Sequence, residues 1–232
     1  LILEALDEAI KNDAPSLRYI DKILFEWNKK GYKGKEELEK EINEVNHKQF
    51  PVLDEEIGKQ MKQEIENAID RQDSVGGILE TVISGVEAGI GEPSFSSLES
   101  MLSEAMFSIP AVKGIEFGSG FDFANMYGSE ANDAWMIQDN KVITKTNHNG
   151  GINGGIANGM PITFKTVIKP TPSISLEQDS VNYETKENVK LSISGRHDPA
   201  IIHRARAVVD AMTALVIADA YMMTYGRKWF EK

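Results

Sequence analysis

Apolar residues recur at helical spacing near both ends of the chain. Close to the N-terminus, Tyr19, Ile23 and Trp27 are four residues apart, which places them on one face of a predicted helix. Near the C-terminus, residues 207–223 form an Ala-rich apolar stretch that two aspartates interrupt. Because this stretch is also short for a bilayer crossing, we interpret it as a buried helix and expect no membrane span.

The segment between these helices predicts strands. Ile162, Phe164, Thr166 and Ile168 alternate with Thr163, Lys165 and Val167, which is the period of a strand. Strands are also predicted at residues 74–86 and 112–121, and at two places within residues 180–194 around a Thr-Lys-Glu-Asn turn.

Two capping signals mark the starts of further helices. Asp54 is a candidate N-cap for a helix that carries apolar residues at every fourth position. Ser96 and Glu99 form a capping-box pattern before a second helix. Antiparallel strands followed by a long packing helix predict an α+β fold, preceded by a short helical segment.

The composition narrows the classes of function. The chain has 232 residues, a net charge of −11 and no cysteine. The negative charge argues against nucleic-acid binding by the whole chain, although a local basic pocket for an anion stays compatible with it. Without cysteine there is no disulfide framework and no thiol nucleophile, which suits a cytoplasmic protein. We expect no metal site, because no histidine pair has metal-ligand spacing, and no signal peptide, because a basic leader is missing.

A glycine-rich stretch between residues 147 and 159 is the first candidate for chemistry. Its five glycines permit positive φ angles and a close approach of the backbone to a ligand. The stretch is equally compatible with an ordinary hairpin, since Asn158-Gly159 is typical of a type I′ turn. It matches neither a Walker loop nor a dinucleotide fingerprint. On pattern alone the hairpin is the more common interpretation, and the ligand cradle stays open.

Three short polar segments add candidate ligand contacts. "KPTPS" at residues 169–173 offers a cation, two hydroxyl groups and a stiff backbone, which suits a phosphate or a polyol as well as a plain strand exit. "GRHDP" at residues 195–199 places Arg196 and Asp198 beside a histidine, and a lone histidine is more often structural than catalytic. "GSEAND" at residues 128–133 indicates either a loop that binds polar atoms or a turn.

These motifs occur in one order along the chain, together with "DSVGGILETVISGVEAGIGEP", "SIPAVKGIEFGSGF" and "TNHNGGINGGIANGMPI". Together they closely resemble the C-terminal half of chorismate synthase, over residues 50–232. The resemblance implies a β-α-β sandwich, only partial in this chain, in a family that is typically homotetrameric. It also implies a lyase of the shikimate pathway that uses reduced FMN, linked to NADPH, to convert 5-enolpyruvylshikimate 3-phosphate to chorismate and phosphate by 1,4-elimination.

The resemblance also implies the roles of particular residues. Asp198 matches the family's aspartate near the flavin, which is implicated in proton removal around N5. The implied FMN contacts are Pro110, Ala111, Gly154, Lys169, Pro170, Thr171, Pro172, Ser173 and Arg196. Pro110 stands where many members carry asparagine, so only its backbone is expected to make a polar contact. Lys169 and Arg196 would supply positive charge for a phosphate in an otherwise acidic protein.

Two motifs of the family's N-terminal half, Gly-x-Ser-His-Gly and Gly-Arg-x-Ser-x-Arg, do not occur in this sequence. The family's two catalytic histidines belong to that half and have no counterpart among His47, His148, His197 and His203. We therefore expect weak activity at best from this polypeptide alone. We also expect apolar faces and strand edges to be exposed and to cause association unless a partner covers them.

A second resemblance concerns the N-terminal segment. Residues 1–36 resemble the end of a DnaD-like replication-initiation domain, in which the aromatic stripe and a basic tail are linked to DNA binding. The tail comprises Lys29, Lys30, Lys33 and Lys35. The aromatic residues would stack on bases or simply pack in a helix pair. We therefore expect a helical segment at residues 1–48 and a chorismate synthase-like region at residues 49–232. The alternative function is a non-enzymatic DNA-binding module.

Overall fold

A three-stranded antiparallel sheet and two helices organise the part of the chain that the computed structural model describes, which is residues 40, 44–45, 48, 50–52, 54–138 and 140–226. The predicted helices and basic tail of residues 1–36 lie outside these residues. The helices are α1 Glu55–Asp70, α2 Leu98–Phe107, α3 Gly128–Ala131 and α4 Ile202–Tyr225. Short 3₁₀ turns occupy Ser94–Ser96 and Gly120–Asn125.

The strands form one sheet and three hairpins. Their bounds are β1 Gly77–Ile83, β2 Val112–Phe117, β3 Trp135–Gln138, β4 Lys141–Thr144, β5 Ile152–Asn153, β6 Ile156–Ala157, β7 Ile162–Ile168, β8 Gln178–Asn182 and β9 Glu187–Leu191. The sheet has the order β1-β7-β2, and β7 pairs antiparallel with both neighbours. The hairpins are β3–β4, β5–β6 and β8–β9. This arrangement confirms the predicted α+β fold.

The central strand β7 carries the core on one face. Phe164 lies opposite Thr81 of β1 and Phe117 of β2, and the two phenyl rings are 5.7 Å apart between centroids. Phe164 is 1% exposed and packs in one apolar cluster with Leu102 of α2 and Val209 of α4. Residues of a strand alternate between its two faces. Ile162, Phe164, Thr166 and Ile168 therefore lie on the same face of β7, as their alternation predicts. The strand prediction for this segment is confirmed.

The opposite face of β7 carries an ion pair between a buried lysine and a half-buried glutamate. Lys165 lies opposite Glu116 of β2, and its Nζ is 3.1 Å from a Glu116 carboxylate oxygen. The other carboxylate oxygen of Glu116 accepts a hydrogen bond of 3.3 Å from the Phe121 backbone N–H. The turn after β2 therefore folds over this face of the sheet.

The capping predictions are confirmed at one helix and wrong by one residue at the other. Asp54 caps α1, because its Oδ1 accepts from the backbone N–H groups of Glu56 and Ile57 at 2.9 and 3.1 Å. At α2 the cap is Ser97 rather than Ser96, with Ser97 Oγ accepting from the Ser100 N–H at 3.1 Å. Ser96 ends a 3₁₀ turn, whereas Ser97 has the extended backbone that aims a capping hydroxyl at the helix.

The turn of the β8–β9 hairpin also differs from its prediction. It comprises residues 183–186, two residues before the predicted Thr-Lys-Glu-Asn turn. Asn182 Oδ1 accepts from the backbone N–H groups of Glu184 and Thr185, at 3.0 and 3.2 Å. An asparagine that bonds to the backbone two residues ahead starts a turn by itself, which explains the shift.

The long helix α4 closes the described fold. Its buried residues recur at helical spacing and are Ile202, Ala205, Val209, Thr213, Val216, Ile217 and Ala220. The Thr213 hydroxyl donates to the Val209 carbonyl at 2.7 Å, so its polar group is satisfied within the helix. By length and composition alone α4 could cross a membrane, a test that core helices of soluble proteins also pass. The predicted packing of this helix is confirmed for the face that carries these residues.

Candidate functional site

Two of the predicted ligand-binding segments meet at one end of the sheet. The Lys169 backbone N–H donates to the Ala111 carbonyl at 2.9 Å, immediately beyond the pairing of Ile168 with Val112. Residues 110–111 therefore lie beside residues 169–173. Sequence motifs separated by almost sixty residues become neighbours because β2 starts where antiparallel β7 ends.

The residues just before β1 also contact the 169–173 segment at this end of the sheet. Ser74 Oγ donates to the Thr171 carbonyl at 2.6 Å. A Cβ at Gly76 would lie 2.4 Å from the Ile168 carbonyl oxygen and 3.0 Å from Pro170 Cδ, so only glycine lets the two segments approach this closely. The prediction of a strand at residues 74–86 did not identify the supporting roles of Ser74 and Gly76. The paired glycines before the strand were the available signal, since a glycine beside a strand often marks close backbone approach.

The third predicted segment contacts the residues just before β1. The Val75 N–H donates to the Pro199 carbonyl at 2.8 Å, which places the end of the segment at residues 195–199 beside the residues that precede β1. Asp198 Oδ2 forms an ion pair of 2.8 Å with Arg204 Nη1 in the first turn of α4. His197 Nε2 is 2.9 Å from the Ile193 carbonyl, and since a carbonyl only accepts, Nε2 carries the proton. This hydrogen bond fixes the His197 ring to the backbone, and a structural role for this histidine stays a prediction.

The chemistry of this end suits an anionic, polar ligand. Lys169 and Arg196 are exposed cations, and α4 begins nearby without a side-chain cap at Ile201. The N-terminus of a long helix carries partial positive charge and unpaired N–H groups that favour phosphate. Among the described residues, Thr171 Oγ1 is buried without a hydrogen-bond partner. A buried hydroxyl without a partner is costly, so a ligand that bonds to it would relieve that cost.

The glycine-rich stretch does form a hairpin, but the turn differs from the predicted one. Gly154 and Gly155 join β5 to β6 with φ angles of +60° and +89°, the pair of positive values that a type I′ turn requires. The prediction of the turn at Asn158-Gly159 is wrong. Asn158 instead braces the hairpin, because its amide donates to Asn153 Oδ1 at 2.7 Å.

Gly154 is not brought to the other predicted contacts within this chain. The hairpin packs on the start of α2, where the Leu98 N–H donates to the Gly155 carbonyl at 3.0 Å. The same stretch meets the start of β7, where the Thr163 N–H donates to the Gly150 carbonyl at 3.1 Å. Lys169 follows the opposite end of that seven-residue strand, which places the two regions roughly 20 Å apart along β7 at about 3.3 Å per residue. The FMN contact at Gly154 stays a prediction from the resemblance.

Asp133, the last residue of "GSEAND", has a role that the sequence left open. It is 6% exposed and its two carboxylate oxygens accept four hydrogen bonds of 2.7–2.8 Å. The donors are the Thr146 hydroxyl, the His148 and Asn149 backbone N–H groups, and the Asn149 side-chain amide. Burial alone would raise the pKa of Asp133, but these hydrogen bonds outweigh burial and hold the pKa below its ordinary value. Asp133 therefore ties down the start of the glycine-rich stretch.

Comparison with known proteins gives one consistent family. The family model described as chorismate synthase matches residues 10–222. A chorismate synthase from Lachnoclostridium phytofermentans is 49% identical over 186 residues, covering 77% of this chain and 50% of that relative. One from Methanosarcina mazei is 46% identical over 189 residues, covering 82% and 52%. A crystal structure of chorismate synthase aligns with a TM-score of 0.67 at 26% identity, covering 87% of this chain and 55% of the other.

These matches also bear on the N-terminal segment and on length. The family model includes most of residues 1–36, and none of these matches supports a resemblance of that segment to a DnaD-like domain. The chain spans about half the length of the curated relatives it matches.

Proposed function

Since the chain belongs to the chorismate synthase family, we propose that it carries an FMN-binding part of a chorismate synthase active site. The assembled enzyme is proposed to be a carbon–oxygen lyase that converts 5-enolpyruvylshikimate 3-phosphate to chorismate and phosphate. The observation that supports this most is the convergence of Ala111, residues 169–171 and Pro199, the last residue of the GRHDP segment, at one end of the sheet.

The residues at this end fit the polar parts of FMN. Lys169 and Arg196 would bind the phosphate group as charge-assisted donors. Thr171 Oγ1, buried without a partner among the described residues, would bond to the ribityl chain or the phosphate. Pro110 and Ala111 would contact the cofactor through their backbone. When bound, reduced FMN would supply electron density to the elimination without net oxidation or reduction.

Asp198 is the proposed proton-handling residue. Its Oδ2 is held by Arg204 at 2.8 Å, so the carboxylate is oriented and Oδ1 is the atom that would carry the proton. Arg204 is proposed as a positioning residue, because its guanidinium group contacts the Asp198 carboxylate. This assignment comes from the family resemblance, and the ion pair is the structural feature that supports it.

The broader properties of the assembled enzyme are also proposals. We propose a cytoplasmic homotetramer whose flavin is reduced at the expense of NADPH. Residues 1–48 are proposed to form a helical segment that precedes a catalytic region at residues 49–232.

Flavin titration tests the proposed site. We expect binding to the chain to quench FMN fluorescence, and Lys169→Ala to weaken binding about tenfold, the loss of one charge-assisted hydrogen bond. Lys141→Ala is the matched control, since Lys141 is an exposed lysine on the β3–β4 hairpin. Equal weakening by both variants, or no binding by the unaltered chain, would contradict the proposal.

Turnover tests the reaction separately from binding. With reduced FMN and 5-enolpyruvylshikimate 3-phosphate, we expect little chorismate from this chain alone, because the family's catalytic histidine motif is not in its sequence. Full family-like turnover by this chain alone would show that the N-terminal motifs are dispensable, and would overturn that expectation.

A further inference from the structure

The glycine-rich stretch contains three Asn-Gly steps, at Asn149-Gly150, Asn153-Gly154 and Asn158-Gly159. Asparagine is a chemically labile residue, and it is most labile before glycine, because a glycine has no Cβ to keep its nitrogen away from the asparagine side chain. The three steps are chemically equal in sequence. Any difference in their reactivity therefore comes from the fold.

The reaction defines what the structure must allow. The backbone nitrogen of the glycine loses its proton to solvent base and forms a bond to the asparagine Cγ. The bond from Cγ to Nδ2 breaks, ammonia leaves, and a five-membered imide closes. Water then opens the imide to an aspartate or an isoaspartate. A reactive step therefore needs a glycine N–H and an asparagine Nδ2 that are free of hydrogen bonds, together with access for water.

The step at Asn149-Gly150 does not meet these conditions. Asn149 Nδ2 donates to Asp133 Oδ2 at 2.8 Å, and the Gly150 N–H donates to the Asn147 carbonyl at 3.0 Å. Gly150 is also buried. Both the attacking and the leaving nitrogen are thus held in hydrogen bonds, in a place that water does not reach.

The step at Asn158-Gly159 is protected by its side chain. Asn158 Nδ2 donates to Asn153 Oδ1 at 2.7 Å, and Asn158 Oδ1 accepts from the Met160 N–H at 2.9 Å. Gly159 is exposed, but loss of the amide would break both of these hydrogen bonds. This step is therefore accessible to water but held in an unreactive arrangement.

The step at Asn153-Gly154 meets all of the conditions. Both residues are exposed, at the tip of the β5–β6 hairpin. Among the described residues, neither the Gly154 N–H nor Asn153 Nδ2 has a hydrogen-bond partner. The bond from the Asn158 amide to Asn153 Oδ1 leaves Nδ2 free, and it stabilises the negative charge that the attack places on Oδ1. Because β5 and β6 have two residues each, little backbone pairing opposes the movement that closes the ring.

We propose that Asn153 is a site of spontaneous deamidation, and that the fold confines this reaction to one of three equal steps. The product has a carboxylate beside Gly154, the FMN contact predicted from the family resemblance. This consequence rests on the proposed function, whereas the reaction itself does not involve flavin. An isoaspartate would also lengthen the backbone at a two-residue turn and disturb the pairing of β5 with β6.

Mass spectrometry of the chain, incubated folded in mildly alkaline buffer and then fragmented, measures all three steps in one sample. Each deamidation adds about one mass unit to the fragment that carries it. Asn153 should react at least about tenfold faster than Asn149 and at least about threefold faster than Asn158, since those two must first break hydrogen bonds. The chain unfolded in urea is the control, and its three rates should agree within about threefold.

Gly154→Ala and Gly159→Ala are a matched pair of variants. Both glycines have positive φ angles, of +60° and +89°, and a Cβ would meet no atom closer than 3.4 Å at either position. G154A should slow deamidation of Asn153 at least about tenfold, because its Cβ crowds the attacking nitrogen. G159A should leave the Asn153 rate unchanged, and circular dichroism checks that both variants are folded.

Several outcomes would overturn the inference. Equal rates at the three steps of the folded chain would show that the fold does not select among them, and a fastest rate at Asn149 or Asn158 would show that it selects another. An unmodified Asn153 after a time in which the unfolded chain reacts would refute the site. Equal Asn153 rates in G154A and the unaltered chain would refute the attack by the Gly154 nitrogen. Because flavin takes no part in these measurements, a failure here is distinguishable from a failure of the proposed FMN site.

Discussion

Removing the Asp133 carboxylate should destabilise the fold more than any exposed acidic substitution. The Asp133→Ala change deletes an acceptor of four hydrogen bonds from a residue that is 6% exposed. Hydrogen bonds to charged groups contribute about 1.5–3 kcal/mol each, and they are not additive within one cluster. Water can also enter the space that alanine leaves and accept hydrogen bonds from some of the four donors. We therefore expect the free energy of unfolding to fall by about 3–5 kcal/mol, the usual cost of removing one partner from a buried charged cluster.

Urea denaturation followed by circular dichroism measures this loss. Asp122→Ala is the matched control, because Asp122 is an exposed aspartate in the 3₁₀ turn after β2, and it should change the unfolding free energy by less than about 0.5 kcal/mol. The Asp133→Asn variant keeps one acceptor oxygen and should fall between the two. A loss below about 1 kcal/mol for D133A, with an unchanged denaturant slope, would show that this network does not hold the glycine-rich stretch.

The pH dependence gives the same prediction a second check. The folded pKa of Asp133 lies below its ordinary value of 3.8, so the folded state binds this proton more weakly than the unfolded state does. The stabilisation is therefore complete above the unfolded pKa and is lost as the pH falls through the folded pKa. In acid titrations of stability, D133A should lose less than the unaltered chain. An unchanged acid profile would contradict the assigned role of the carboxylate.

Two further predictions use other parts of the described fold. Gly118→Ala would put a Cβ 2.0 Å from the His148 carbonyl oxygen at a φ of +55°, whereas Gly154→Ala has nothing within 4 Å at a similar φ of +60°. G154A should cost about 1–2 kcal/mol for its backbone conformation and G118A clearly more, and equal urea midpoints for the two variants would refute the clash. Burial raises the pKa of Asp210 to about 6 despite Arg206 nearby, so this group lowers stability as the pH rises from its ordinary 3.8 toward 6. Between pH 4 and pH 7 the unaltered chain should lose roughly 3 kcal/mol of unfolding free energy through this group, and Asp210→Asn should not. Melting temperatures of both proteins at the two pH values check this, and a larger fall for the Asn variant would contradict it.

Much of the local structure could be predicted from the sequence alone. Asp54 marks a helix start because a short side-chain acceptor before an apolar-periodic run can satisfy the first N–H groups of the helix. The alternation in residues 162–168 marks a strand because side chains of a strand point to opposite faces. The family motifs also predicted which residues to consider at the site. These signals all lie within a few residues of the feature that they predict.

Small errors of position arose where two local signals competed. Ser96 and Ser97 are chemically equal candidates for the cap, and only the 3₁₀ turn that precedes α2 decides between them. Asn158-Gly159 and Gly154-Gly155 are both good turn sequences, and the pairing of β5 with β6 selects the second. In each case the decision came from backbone conformation that the residue types permit but do not require.

The tertiary structure alone decided which distant segments meet. The bond between Ser74 and Thr171 joins residues 97 positions apart, and the pairing of β2 and β1 with β7 brings three motifs to one end of the sheet while leaving Gly154 at the other. The sequence by itself determined the family and the fold class, and it predicts which residues bind a ligand. A periodic pattern predicts that one face of an element is apolar, but it does not predict which distant segment packs against that face. That choice depends on the path of the whole chain.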